Sequence, residues 1–247
     1  MSYVFKEHEP PPPWPEFRKR SPVGFLVPFF FVNWIADWGA CLLSKWSLLE
    51  LLEYLGSFSI LFATIFYFAG ASDRLKQKHY QAWQVINSAQ GKGGNGGRID
   101  ALQELNEDHV PLVGVDVADA YLQGVRLDGA ELRRGNFSST DLREAVFKKA
   151  RLEDSNFHSA NLRGADLRES ELAGADFADS DLSDATLANA DLAQLSLDGA
   201  DLRGVELRSV KNWRGIKGIK GANILGVKNA PEGFVEWAKK SGAVESN

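Results

Sequence analysis

From Val115 to Val210 a small or short residue occupies every fifth position, and a large apolar residue follows two positions later. The small series runs Val115, Ala120, Val125, Ala130 and on to Val210, with Leu195 as its one lapse. The large series holds Leu or Phe from Leu122 to Leu207 without a miss. A strict period of five is neither helix, which repeats near 3.6, nor strand, which repeats at 2. Two inward residues in every five describe a chain that turns a corner every five residues. Four corners close a square coil of about 20 residues, and stacked coils pair like parallel strands about 4.8 Å apart. Phe137, Phe157 and Phe177 are 20 apart, so they are expected to stack on one wall, with Phe147 on another. Counted from Leu112 to Leu207 the large positions number 20, hence about five coils and a rod about 24 Å long.

Runs such as Ala160-Asn161-Leu162, Ala165-Asp166-Leu167, Ala190-Asp191-Leu192 and Ala200-Asp201-Leu202 carry the motif A-(D/N)-L-x-x. In this the chain resembles the pentapeptide-repeat family over about 100 residues. The resemblance implies an all-β solenoid, a right-handed quadrilateral β-helix. It implies no single activity. Known members are mostly interaction scaffolds, and some inhibit DNA gyrase by imitating DNA.

Around the rod the pattern changes. Arg98–Asn106 puts Ile99, Leu102 and Leu105 on one helical face, a stripe suited to closing the open end of a β-helix. After Val210 the register fails. Asn212 takes a Leu position, and a last trace, Ala222-Asn223-Ile224, is shifted by two. Pro231–Lys240 then reads as a helix with Gly242 past its end, so that Phe234 and Trp237 cover the last coil. The expected organisation is a Pro-rich tail (1–20), a membrane region (21–72), a neck helix and Gly-rich linker (73–97), an N-terminal cap (98–110), the β-helix (111–212) and a C-terminal cap (213–247) containing a helix over 231–241.

The N-terminal third is a different material. Pro10 to Pro15, broken by Trp14, should be extended and act as a spacer. Tyr54–Ala71 is uncharged and about 27 Å long as a helix, which reads as a membrane span. Val23–Leu43 reads either as a second span or as an interfacial helix anchored by Trp34, Trp38 and Trp46. Arg18, Lys19 and Arg20 precede these segments and Arg74, Lys76 and Lys78 follow, with Lys45 alone between. This placement favours a hairpin with both ends, and the rod, in the cytoplasm of a bacterial inner membrane. A cleaved signal peptide fits poorly, because the basic cluster follows a long polar tail. Asp37 is the candidate intramembrane polar residue. Along the neck, Tyr80, Trp83, Val85 and Ile86 lie against either lipid or a partner, with Lys78 and His79 turned toward headgroups in the first case.

Charge is uneven. Residues 98–247 carry 19 Lys and Arg against 26 Asp and Glu, a net −7, whereas residues 1–97 carry 9 against 7. Gly91–Gly97 contains G-x-G-x-x-G but lacks the βαβ setting of a dinucleotide site, so it reads as a linker. The four histidines are scattered, the single Cys41 allows no internal disulfide, and no nucleophile has a recognisable setting. No cofactor, metal or enzymatic activity is expected. The Asp and Asn before each Leu are expected to bond the backbone at the corner. Folding the sequence modulo 20 aligns Arg143, Arg163 and Arg203 on one wall and Lys148, Arg168 and Arg208 on the next. The opposite side is flatter, with Ala173, Ala178 and Ala193. The two cationic columns are the candidate interaction surface. Three functions follow: a membrane-anchored scaffold or accessory subunit that binds a protein, a DNA-mimic inhibitor of an enzyme such as gyrase, or a membrane effector or channel component. Membrane attachment and the Arg ladders argue against mimicry, since a mimic needs nearly continuous negative charge, and nucleic acid is not expected as a partner.

Overall fold

In a computed structural model the described residues are 10–19, 27–44, 48–88 and 96–246. The chain divides into two compact units, Met1–Asp73 and Arg74–Asn247. The Gly-rich linker over 91–95, the tail over 1–9, the start of the membrane region and Lys45 and Trp46 lie outside the described residues.

The second unit is the square rod that the period demands. Parallel bridges join each residue of the Asp/Asn slot to the one 20 positions on, from Asp116↔Asn136 through Asp191↔Lys211. Both edges of every bridge are bonded: Leu142 N–H donates to Asn161 O at 2.7 Å, and Asn161 N–H donates to Thr140 O at 2.9 Å. Each corner is an i→i+3 turn, as where Ala145 N–H donates to Leu142 O at 3.0 Å. The third residue of the turn is left-handed throughout, at φ 59 for Glu144 and Lys149 and 61 for Glu169, the geometry of a type II turn. Bulky residues tolerate this conformation here because the coils above and below fix both flanking peptides.

The interior fills as the spacing requires. The large positions are buried from Leu112 to Leu207, and Leu195 is buried despite its size. Phe137 and Phe157 stack with centroids 4.8 Å apart and planes 6° from parallel. Phe157 and Phe177 repeat this at 4.6 Å and 12°. Phe147 meets the stack edge-on from another wall, 6.0 Å from Phe137 and from Phe157. Hydroxyls at small positions bond inward carbonyls, as Thr140 Oγ1 does to Val117 O at 2.9 Å. At Gly135 a Cβ would sit 2.6 Å from Phe137 Cε2, so the aromatic ring itself excludes a larger residue.

The rod is longer than the sequence pattern suggests. Pairing continues past Val210 with an offset of 22, through Ser196↔Gly218, Asp201↔Asn223 and Glu206↔Lys228. Two extra residues are absorbed around the 3₁₀ turn Trp213–Gly215, giving a sixth coil and a length of about 29 Å. Trp213 takes the inward role that Asn212 cannot, being 7% exposed.

Both ends are closed. At the N-terminal end helix α5 (Arg98–Glu107) buries Leu102 and Leu105 on the first coil. Its Gln103 Oε1 accepts Arg126 N–H at 2.9 Å, in place of the coil that is missing below. At the other end helix α6 (Phe234–Lys240) starts three residues later than expected, after a turn from Pro231. Phe234 and Trp237 each lie 5.6 Å edge-on from Trp213, and Val244 pairs with Asn223 over the last coil.

The neck helix α4 (Ala71–Ser88) corrects both readings of its apolar face, which meets neither lipid nor a partner but this chain's own rod, with Tyr80 left exposed. Ile86 and Ala82 are buried and Trp83 and Val85 pack against the rod core, so that face is taken by the protein rather than by lipid. Lys78 Nζ lies 3.0 Å from both Glu104 and Asp108, and His79 Nε2 lies 2.9 Å from Asp108. These residues clasp α4 to α5 instead of facing headgroups.

In the first unit α1 (Trp14–Lys19) corrects the extended reading of the Pro-rich segment, which becomes helical from Trp14. Trp34 Nε1 on α2 (Val27–Ser44) donates to Pro12 O at 2.8 Å, and Trp14 packs edge-on to Phe31 at 4.8 Å. Helix α3 (Leu48–Ala69) ends before the expected span does, with Gly70 as a turn. Its uncharged stretch, Tyr54–Ala69, is about 24 Å as a helix, short of a hydrocarbon core near 30 Å. Among the described residues no helix is long and apolar enough to cross a membrane, so the expected spans are not supported.

The stacked Phe column makes the interior fragile at its middle. Phe157→Ala should cost about 3–5 kcal/mol in urea unfolding, whereas Arg203→Ala on the wall should cost less than about 1 kcal/mol.

Candidate interaction surface

Every wall presents the same three outward slots per coil: the bridging residue before the Leu or Phe, and the two turn residues after it. The bridging Asp or Asn turns its carboxylate or amide oxygen onto the backbone two residues on. Asp181 Oδ1 accepts Ser183 N–H at 2.9 Å, and Asn156 Oδ1 accepts His158 N–H at 2.9 Å. This is the corner bond expected of that slot, and it keeps these carboxylates structural.

The cationic columns lie where the modulo-20 folding puts them, since Asp141, Asn161, Asp181 and Asp201 form one bridged series. Their guanidiniums are mostly occupied. Arg143 Nε donates to Asp141 Oδ1 at 2.9 Å while its Nη2 reaches Asp141 Oδ2 at 2.7 Å. Arg203 clamps Asp201 in the same way, and Arg168 Nε donates to Asp166 Oδ1 at 2.8 Å. These clamps hold the three carboxyls below the ordinary carboxylate range, chiefly through the hydrogen bonds from Arg143, Arg168 and Arg203. Arg163 differs because Asn161, with no charge, precedes it; Asn161 Oδ1 accepts only the Arg163 N–H, at 3.2 Å. Among the described residues the Arg163 guanidinium has no ion-pair partner. Lys148 lies 3.8 Å from Glu169, and Arg208 Nε lies 3.8 Å from Glu206 with its side chain 69% exposed. Of the six cations Arg163 is thus unpaired among the described residues, and Lys148 and Arg208 are only loosely paired.

Two features escaped the reading of the sequence. Arg151 bonds Glu131 at 3.1 Å, Glu171 at 3.3 Å and Glu153 at 3.2 Å, a charge ladder through three coils. Its signal was present in the 20-residue spacing of Glu131, Arg151 and Glu171. Charge is also banded along the rod. From Glu169 to Asp201 there are nine carboxylates and no Lys or Arg; from Arg203 to Lys228 there are seven cations against Glu206 alone. A net charge taken over the whole rod conceals both bands.

Asp37 is exposed on α2, with no described titratable partner that would mark it as a relay. His79 is engaged with Asp108, and no group of metal-ligating residues gathers among the described residues. A hollow of about 390 Å³ between α5 and the first coil is lined by Gln103, Asn106, Glu107, His109, Arg126 and Asp128. Its polar groups already serve the cap, as where Asn106 Nδ2 donates to Asp128 O at 3.1 Å.

The family model described as "Pentapeptide repeats" matches residues 112–148, 136–172, 150–187 and 170–208. A search of curated proteins gave no match. Similar solved structures include the pentapeptide repeat protein Rfr23 from the cyanobacterium Cyanothece 51142, at 27% identity and TM-score 0.32, covering 39% of this chain and 59% of that one. HetL, a pentapeptide repeat protein involved in heterocyst differentiation regulation in Nostoc sp. strain PCC 7120, is 28% identical at TM-score 0.31, covering 49% of this chain and 54% of that one. A pentapeptide repeat protein from the Arabidopsis thaliana thylakoid lumen is 29% identical at TM-score 0.26, covering 54% and 78%. The chain thus spans under two thirds of the first two.

The three clamped carboxyls set an acid limit. Because their folded pKa values are depressed, the stability they add is present above the unfolded value near 4 and is lost as pH falls through the lower folded values. Thermal midpoints should hold steady from pH 7 to about 5 and fall below about 4. Replacing Asp141, Asp166 and Asp201 with Asn, which already serves at 161, should flatten that fall in a pH series of melting curves.

Proposed function

We propose that this chain, whose residues 112–208 match the pentapeptide-repeat model, is a non-enzymatic scaffold that binds a protein along a wall of the rod. The observation that supports this reading is the closure of both rod ends by the chain's own α5 and α6. End-to-end pairing is blocked, and the regular walls remain as the accessible surface. On the cationic walls Arg163, and the loosely paired Lys148 and Arg208, are the residues best placed to meet an acidic partner surface.

The first unit serves as the attachment segment. Ile60, Leu61, Phe62, Ile65 and Phe66 on α3 are all more than half exposed, and they surround the helix rather than lining one side. A helix apolar on every side needs an apolar environment. Since no described helix is long and apolar enough to cross, α3 on this reading enters a bilayer from one side. In a flotation assay the full chain should rise with phosphatidylcholine vesicles at both low and high salt. Ile60→Asp with Phe66→Asp should leave most of it at the bottom. Flotation that high salt abolishes would overturn attachment through α3.

The wall is tested by capture from native membranes in mild detergent. A partner should copurify with the wild-type chain, and Arg163→Glu with Lys148→Glu and Arg208→Glu should reduce its yield by about tenfold, roughly the effect of 1.4 kcal/mol. A chain that emerges alone removes the scaffold reading.

One observation favours a second reading, imitation of DNA: the run of nine carboxylates without a cation between Glu169 and Asp201. Inhibition of gyrase supercoiling at micromolar concentrations would support it.

A further inference from the structure

The charge bands do more than divide the rod; on one wall they are self-complementary. The wall that carries the stacked Phe residues inside presents Asp176 and Asp179 on its fourth coil and Lys217 and Lys220 on its sixth. The fifth coil, between them, is flat, with Ser196 and Gly199 above Ala178. Asp198, the one charge on this wall of that coil, is tied to its own chain, its Oδ1 accepting Lys220 N–H at 2.7 Å. Asp179, Asp198, Lys217 and Lys220 are exposed.

We infer that this wall is the contact between two copies of the chain, laid side by side and antiparallel with a two-fold axis at the fifth coil. An isologous contact requires that whatever residue i meets at j, residue j meets at i. With the axis at the fifth coil, the fourth coil of each copy faces the sixth coil of the other. Asp179, with the second carboxyl oxygen of Asp176, whose Oδ1 accepts Ala178 N–H at 3.0 Å, then meets Lys217 and Lys220 twice, once on each side of the axis. Ser196 and Gly199 project little and the Asp198 carboxylate folds along its own wall onto Gly218 and Lys220, so the walls approach closely enough for those charges to pair. A parallel arrangement sets acid against acid and is repelled. Three coils span only about 14 Å, far less than the extent of a standard protein interface, so the dimer is weak and sensitive to salt.

The full chain in mild non-ionic detergent is followed by sedimentation velocity. The wild type should show a dimer at about 50 mM salt whose fraction drops several-fold at about 0.5 M. Lys217→Glu with Lys220→Glu should be monomeric, and so should Asp176→Lys with Asp179→Lys. Lys228 and Lys149 already occupy the equivalent slots elsewhere in the rod, and unchanged circular dichroism checks that both variants fold. An equimolar mixture of the two variants should restore the dimer, because the all-acidic wall of one then meets the all-basic wall of the other at both sites. In a mixture of ¹⁴N- and ¹⁵N-labelled wild type, carbodiimide should join Asp176 or Asp179 of one copy to Lys217 or Lys220 of another. A wild type that stays monomeric at low salt, a dimer indifferent to either pair of reversals, or a mixture that fails to associate each overturns the proposal.

Discussion

Between one coil and the next the backbone bonds in both directions, the amide of each Leu or Phe reaching up and the amide of each bridging residue reaching down. Everything else in the rod presupposes this exchange. It sets the coil spacing, which in turn brings Phe137, Phe157 and Phe177 face to face at ring-stacking distance. It also holds the left-handed corner residues in place, so that Lys149 and Glu169 occupy a conformation they rarely adopt elsewhere. The apolar interior drives collapse, but it is the ladder that makes the collapsed chain square.

A ladder of this kind has two unsatisfied ends, and the chain spends separate structure on each. Gln103 supplies an oxygen to an amide of the first coil, and α4 seals the outside of α5 through Ile86 and the Lys78–Asp108 clasp. At the far end Trp213 leaves the repeat to build an aromatic cluster with Phe234 and Trp237. The cost is a two-residue slip in register, and the pairing recovers from it within the same coil.

Much of the second unit was legible in the sequence because its information is periodic. A side chain at a known phase has a known wall, a known depth and known neighbours 20 residues away. The stack of Phe residues, the cap stripe of Leu102 and Leu105 and the corner bonds of Asp181 and its equivalents all follow from phase alone. What was not legible lacks phase. The insertion near Trp213 breaks the count, so the sixth coil was taken for a cap. The apolar residues of α4 were read as facing lipid or a partner because packing on the chain's own rod end asks for the same stripe. The uncharged run ending at Ala71 was read as one span because nothing local announces that Gly70 ends the helix. On the walls, phase located the Arg residues, but which of them are free depended on one neighbour: an Asp before Arg143, Arg168 and Arg203, an Asn before Arg163.

The constant corner has a consequence for whatever meets the walls. Outward columns repeat at the spacing between paired strands, about 4.8 Å, whereas an α-helix advances about 5.4 Å per turn. Side chains of a helix laid along the rod drift by about 0.6 Å per coil and fall half a spacing out of step after about four coils. A partner that is itself built of strand-spaced layers keeps step from one end to the other. The rod therefore acts as a grating, matched along its full length only by surfaces ruled at the same interval.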